Sequence, residues 1–219
     1  MRFDVQALLF DVDGTLVDST AAVERTWRSW AQGRGLEVED ILRVCHGRRS
    51  EDTVALFVPA EDRDAAVVEL EQLDLSDVDE VVALPAVSSL LPRLPPGRWA
   101  AVTSGSRAVM QARLEAAGLP APAVLVAAED VTEGKPHPEG YRKAAEALGY
   151  DITRCLVVED APAGIDAGRA AGAQVLAVAT SHPVRDLTAA DAAVPDLSAC
   201  SVRVGRTGLV VTIGDASSR

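Results

Sequence analysis

The sequence predicts an α/β fold, a doubly wound parallel sheet interrupted by a helical insertion, and three observations carry that reading. Short apolar runs end abruptly in acidic or hydroxyl side chains: ALLF before Asp11, AAV before Thr103 and CLVV before Glu159. Strands buried on both faces of a parallel sheet read this way, as continuous apolar segments rather than alternating ones. Helical patterns follow the runs, from Thr20, Arg107 and Pro162. Finally, roughly 65 residues of helical periodicity without a convincing strand separate the first run from the next strong one, too many for one βαβ crossover. The expected architecture is a Rossmann-like core, residues 1–17 and 86–219, with an all-helical cap domain, residues 18–85, inserted after the first strand. In such sheets ligands bind outside the carboxyl ends of the strands, so the chemistry is expected there.

Ala7–Phe10 is the first buried strand, and Asp11 and Asp13 follow it one residue apart. Both carboxylates would face the crevice, where they repel each other; a bound cation keeps both ionised, and hard oxygen ligands favour magnesium. Gly14 allows the sharp turn that such an approach needs. A plain polar turn after a strand is the other reading of Asp-x-Asp-Gly taken alone.

Val23, Trp27, Trp30 and Ala31 recur at helical spacing from Thr20 to Leu36, ended by Gly33 or Gly35. Further helices are expected over 38–45, 50–58 and 61–73, with hinges near 17–19 and 83–86. Between two of these helices, CHGRRSED sets Arg48 and Arg49 in a turn. They are either a solvated pair offsetting an acidic surface or a pair of which one reaches down to a substrate. Pro85–Gly97, with four prolines, reads as a short helix and a turn back to the core.

The next strand ends in Thr103-Ser104-Gly105-Ser106, whose hydroxyls and N–H groups can bind phosphate oxygens without adding a buried charge, or can simply cap a helix. After a short strand at 124–127, Lys135 stands between Gly134 and Pro136, off any helix. Glu159-Asp160 closes another strand, and Pro162 opens the helix that runs to Gly172. As paired acids before a helix they could also serve as caps. Strands at 175–178 and 192–194 complete the sheet, SVRVGRTGLVVTI suggests a terminal hairpin, and Asp215–Arg219 is expected to be disordered.

A net charge of −12 argues against nucleic acid or an anionic membrane as the main partner. No apolar run approaches the ~20 residues of a membrane span, and no leader pattern is seen at the N-terminus, so a cytoplasmic protein is expected. Cys45, Cys155 and Cys200 fit no metal or redox spacing and read as reduced thiols. No feature points to a protein partner.

DVDGTLVDS, AAVTSGSR, GKPHPEGY and VEDAPAGIDAGRAAG together resemble, in order, the four signatures of the haloacid dehalogenase superfamily. The resemblance implies a helical-capped phosphatase in which Asp11 is the nucleophile and Asp13 the general acid and base. It gives phosphate binding to Thr103, Ser104, Gly105 and Lys135, and magnesium to Asp11, Asp13 and Asp160. Glu159 would then back the metal site or join it, and His137 would be structural. Dehalogenases of the superfamily carry a tyrosine-like residue at the place of Asp13, and its β-phosphoglucomutases a hinge histidine at the place of Val23; a catalytically inactive binding module would be expected to lack Asp11 or Lys135. HGRR is similar to the HG-x-R cap turn of the glycerol-3-phosphatase and 2-deoxyglucose-6-phosphatase branch, which marks Arg49 as the cap residue for a small sugar or polyol phosphate.

Overall fold

In the computed structural model, which describes residues 1–214, the chain starts with two short strands that join different sheets, β1 (Arg2–Val5) and β2 (Ala7–Phe10). The segment expected to be disordered, 215–219, lies outside the described residues. After β3 (Val17–Asp18) come four helices: α1 (Thr20–Arg34), α2 (Val38–Leu42), α3 (Ser50–Phe57) and α4 (Arg63–Ser76). The chain returns through β4 (Val82–Ala83), antiparallel to β3 with Val17 opposite Ala83, so exit and re-entry form one two-stranded ribbon. Trp30 is the keystone of the helical block. It is fully buried with Ile41, Val54, Ala66 and Leu70, stacks edge-on to Trp27 at 5.4 Å, and donates its indole N–H to the Ala66 carbonyl at 3.0 Å.

Beyond the ribbon follow α5 (Val87–Leu90), β5 (Trp99–Val102), α6 (Arg107–Ala116), β6 (Leu125–Val126) and α7 (Glu139–Leu148). Next are β7 (Cys155–Glu159), α8 (Pro162–Ala171), β8 (Gln174–Val178) and β9 (Ala192–Val194). The six-stranded sheet, in the order β6-β5-β2-β7-β8-β9, is parallel throughout. Alternation along β2 divides the core: Leu8 and Phe10 pack with α6 residues Val109, Met110 and Leu114, while Ala7 and Leu9 pack with α7 and α8 through Tyr141, Ala144 and Ile165. Helices therefore cover both faces, the doubly wound α/β class expected, and the helices α1 to α4 lie in the chain between β3 and β4.

The hairpin expected at the C-terminus forms from β10 (Cys200–Val204) and β11 (Leu209–Ile213), and β1 adds to β11 on its far side, Phe3 opposite Val211. Among the described residues no helix is long and apolar enough to cross a membrane.

Candidate active site

Because β2 lies between β5 and β7, the residues that follow these three strands converge at one end of the sheet. Asp11 is buried there, and its Oδ1 accepts from Lys135 Nζ at 2.5 Å. The same ammonium donates to Glu159 Oε1 at 2.6 Å and to the Val102 carbonyl at 3.3 Å. Burial works against the Lys135 ammonium, but Asp11 and Glu159 outweigh it and hold its pKa above the ordinary lysine value. Glu159, 1% exposed, also accepts from the Tyr141 hydroxyl at 2.8 Å and from the N–H groups of Asp160 and Ala161 at 3.0 and 3.2 Å. A Cβ on Gly164 would overlap this carboxylate, so the first turn of α8 keeps a glycine to make room for it.

Asp160 stands at the other side of Asp11. Its Oδ1 accepts from Thr15 Oγ1 at 3.3 Å and its Oδ2 from the Ser181 hydroxyl, which also lies 2.8 Å from His182 Nδ1. Gly14, at φ +81°, leaves the space that the Asp160 carboxylate fills. Carboxylate oxygens of Asp11, Glu159 and Asp160 come within 4.8 Å of one another. Three acids against one lysine leave two negative charges uncompensated in a buried site. Burial pushes the Asp11 carboxyl well up, with Lys135 opposing and Glu159 and Asp160 adding to the rise, and it pushes Asp160 to about 7, with Glu159 adding. A hard divalent cation fits this donor set, since it restores the charge balance and takes oxygen ligands.

Asp13 is held separately. Its Oδ1 accepts from Ser19 Oγ at 2.6 Å and from Arg113 Nη1 at 2.9 Å, and Arg113 extends its other arm to Asp74 Oδ1 at 2.8 Å. Neither Arg113 nor Asp74 is signalled by a motif. The trace they leave in the sequence is periodicity: Arg113 interrupts the apolar stripe Val109, Met110, Leu114 of α6, and Asp74 continues the line Ala66, Leu70 of α4.

A cavity of about 220 Å³ opens in front of these groups, lined by Asp11, Asp13, Thr103, Ser104, Gly105 and Asp160. Lys135 reaches Asp11 from behind and lines a smaller neighbouring crevice. Thr103 Oγ1 accepts from the Gly105 N–H at 3.0 Å, and the Ser104 hydroxyl donates to the Gly47 carbonyl of the turn before α3 at 2.9 Å. Helical-block residues complete the wall: Val23, Trp27, His46, Arg48, Glu71 and Asp74. Arg48 lines this cavity, whereas Arg49, the residue singled out by the HG-x-R pattern, does not. Arg49 precedes α3, and acids of the first turn hold its guanidinium, Asp52 at 2.8 and 3.0 Å and Glu51 at 2.6 Å, while its stem packs on Gly134. His137 is half exposed and pairs with Glu133 at 3.2 Å, away from the cavity. Cys45 and Cys155 are buried free thiols, raised to about 12 and about 11 chiefly by burial.

A buried carboxylate at a strand end, with a lysine upon it and an acidic cluster beside it, sits in a chain that belongs to the haloacid dehalogenase-like hydrolases, a family that matches residues 5–172. Within that family it stands with the phosphatases. It is 44% identical over 178 residues to hexitol phosphatase A of Escherichia coli, covering 79% of this chain and 82% of the relative. It is 36% identical over 193 residues to glycerol-1-phosphate phosphohydrolase 2 of Saccharomyces cerevisiae, covering 83% of this chain and 77% of the relative. In structure it resembles a hydrolase from Pseudomonas syringae with a TM-score of 0.79 at 23% identity, covering 88% of this chain and 96% of that one, an agreement of fold.

Proposed function

We propose that the enzyme is a magnesium-dependent phosphomonoesterase that hydrolyses a small sugar or polyol phosphate through an aspartyl-phosphate on Asp11. The observation that carries this reading is the buried Asp11–Lys135 pair at 2.5 Å, set at a strand end in front of a cavity that Asp13 shares. An Asp11 oxygen attacks phosphorus in line, and as that bond forms the bond to the ester oxygen breaks. Asp13 gives its proton to the departing alkoxide, then takes a proton from the water that attacks the aspartyl-phosphate and frees Asp11. Lys135, the Ser104 hydroxyl and the Gly105 N–H meet the charge on the phosphoryl oxygens, with Ser104 exchanging the Gly47 carbonyl, and the Gly105 N–H the Thr103 hydroxyl oxygen, for the substrate. Asp11, Asp160 and the Asp13 main-chain carbonyl would hold magnesium, which supplies further positive charge at the phosphoryl oxygens. Glu159, with four hydrogen bonds already accepted, serves to fix Lys135.

Residues 18–85 act as the cap in this reading and carry recognition, with 1–17 and 86–219 carrying chemistry. The names of the two relatives support polyol phosphates as the substrate class. So does a cavity wall that offers Glu71 and Ser50 as hydroxyl partners and the Arg48 cation beside them. Val23, an apolar wall residue, favours hydrolysis over return of the phosphoryl group to a second substrate oxygen. The net charge of −12 and the lack of a membrane-spanning helix among the described residues accord with a cytoplasmic enzyme of small molecules. Phosphate release from a panel of glycerol, pentitol, hexitol and deoxyhexose phosphates, with and without magnesium, tests the reading together with mass mapping after acid quench. Magnesium-dependent turnover and a phosphorylated Asp11 are expected; label on any other residue would overturn the mechanism.

A further inference from the structure

Arg113 is 3% exposed, lies on the apolar face of α6, and spends its two terminal nitrogens on carboxylates from different parts of the fold. One is Asp13, at the sheet end; the other is Asp74, on α4 of the helical block. Its Nε has no partner among the described residues. As a stabilising device this is a poor arrangement, because a buried ion cluster recovers little of its desolvation cost and an apolar residue in the same stripe would pack as well. As a positioning device it is well made. The Ser19 hydroxyl and the Arg113 guanidinium both land on Asp13 Oδ1, at 2.6 and 2.9 Å, and Oδ2 accepts no hydrogen bond among the described residues. One oxygen is pinned and the other is left for the substrate, in a residue that lines the cavity. A planar fork is needed to reach two carboxylates at once, which an ammonium on a flexible stem does less well.

We propose that Arg113 is the positioning residue for Asp13, and that its grip on Asp74 makes closure of α4 over the cavity and placement of the proton-transfer group a single event. With α4 down, Asp74 fixes the far arm of the guanidinium and the near arm fixes Asp13 Oδ1. With α4 lifted, the guanidinium loses its second anchor and Asp13 loses its fixed orientation. Proton transfer is then confined to the enclosed site. The inference rests on the acid and base role proposed for Asp13 above.

The test compares glycerol 1-phosphate, whose alkoxide leaves only with a proton, with 4-nitrophenyl phosphate, whose phenolate needs little help. Four full-length variants are assayed with magnesium: Asp13→Asn, Arg113→Met, Asp74→Asn and the double variant of the last two. Arg113→Met should lower kcat about 30-fold or more on glycerol 1-phosphate and less than about threefold on the aryl ester, and Asp74→Asn should show the same selectivity at about tenfold. The double variant should be no worse than Arg113→Met alone, since the two residues act as one device. Equal losses on both esters, following the fall in melting temperature, would reduce Arg113 to a structural residue and overturn the proposal. Selective loss in Asp13→Asn with none in the Arg113 and Asp74 variants would overturn the proposal while leaving the mechanism standing. Absence of selectivity in Asp13→Asn would overturn both. If Arg113→Met does not fold, Asp74→Asn and Arg113→Lys decide by the same criterion.

Discussion

The two sides of the cavity are built on different principles. On the sheet side, Asp11, Lys135, Glu159 and Asp160 are buried and interlocked: Lys135, Glu159 and Asp160 each have their orientation fixed by two or more partners, and Asp11 is held by Lys135. On the helical side, His46 and Arg48 stand exposed at the wall, and Arg48 forms no ion pair among the described residues. A site that stabilises a charge in transit gains from dipoles and charges already in place, whereas a site that fits the rest of a substrate can let its contacts form on binding. Substitutions on the sheet side should therefore cost orders of magnitude on every ester, and those on the helical side should cost less and depend on the substrate.

The largest effect is expected at Asp11, the proposed nucleophile. Asp11→Asn is nearly isosteric and removes a carboxylate that burial already disfavours, so the fold should persist while kcat falls by about 10⁴-fold or more on alkyl and aryl esters alike. Turnover near the parental rate on either ester would break the distinction between the two walls at its root.

Withdrawal of magnesium is the next test, expected to cost about 10³-fold in kcat and to reveal the charge imbalance as a pH effect. Asp160 is lifted from 3.8 to about 7, first by burial and then by Glu159. Such an acid holds its proton better folded than unfolded. Its contribution to stability is full below the unfolded value and is lost as pH rises towards about 7. On the proposed reading magnesium binds the ionised carboxylates, so the rise in Tm it produces should be larger near pH 8 than near pH 5, read by thermal melts in both buffers with and without the ion. An equal rise at both values would show that the acidic cluster does not take the cation.

Glu159→Gln should follow, at about 10- to 100-fold in kcat, because the amide keeps the shape but loses the charge that holds Lys135 and cannot accept on both of its ends. The losses on polyol and aryl esters should match, since Glu159 acts on the lysine and not on the leaving group. A loss confined to one ester would move Glu159 to the recognition side.

How far the sequence discloses this arrangement follows the same divide. Strand ends are legible because a parallel strand buried on both faces has only its carboxyl end to offer water and ligands, and so Asp11, Thr103 and Glu159 mark their own places. Lys135 is visible chiefly through the resemblance of GKPHPEGY, for nothing local says that its ammonium meets a carboxylate 124 residues earlier. Thr15, Tyr141 and Ser181 are ordinary residues whose role comes from contacts made only on folding, Ser181 across 21 residues and Thr15 across 145. β1 is unreadable for a related reason, since its partner lies at the far end of the chain. Arg113 and Asp74 were within reach of pattern alone, as charges in apolar stripes, a conflict between local rule and global fold of the kind that functional sites produce.

The smallest effect, and the one that sharpens the comparison most, concerns the arginine pair. Sequence pattern favours Arg49 as the substrate contact, but Asp52 and Glu51 hold its guanidinium against the loop that carries Gly134. Its neighbour Arg48 lines the cavity and forms no ion pair among the described residues. If, as proposed, Lys135 and Ser104 already meet the phosphate, it gains little from a further cation, so Arg48 should act on the part of the substrate remote from phosphorus. Arg48→Ala should then lower kcat/KM on the best polyol phosphate by about tenfold, chiefly through KM, and leave 4-nitrophenyl phosphate within about twofold. Arg49→Ala should act differently, loosening the turn before α3 and lowering Tm, with both esters affected alike. If Arg49→Ala gives the substrate-selective loss and Arg48→Ala gives none, the wall rearranges on binding so that the pattern residue enters the cavity, and the helical side is more mobile than the sheet side to that extent.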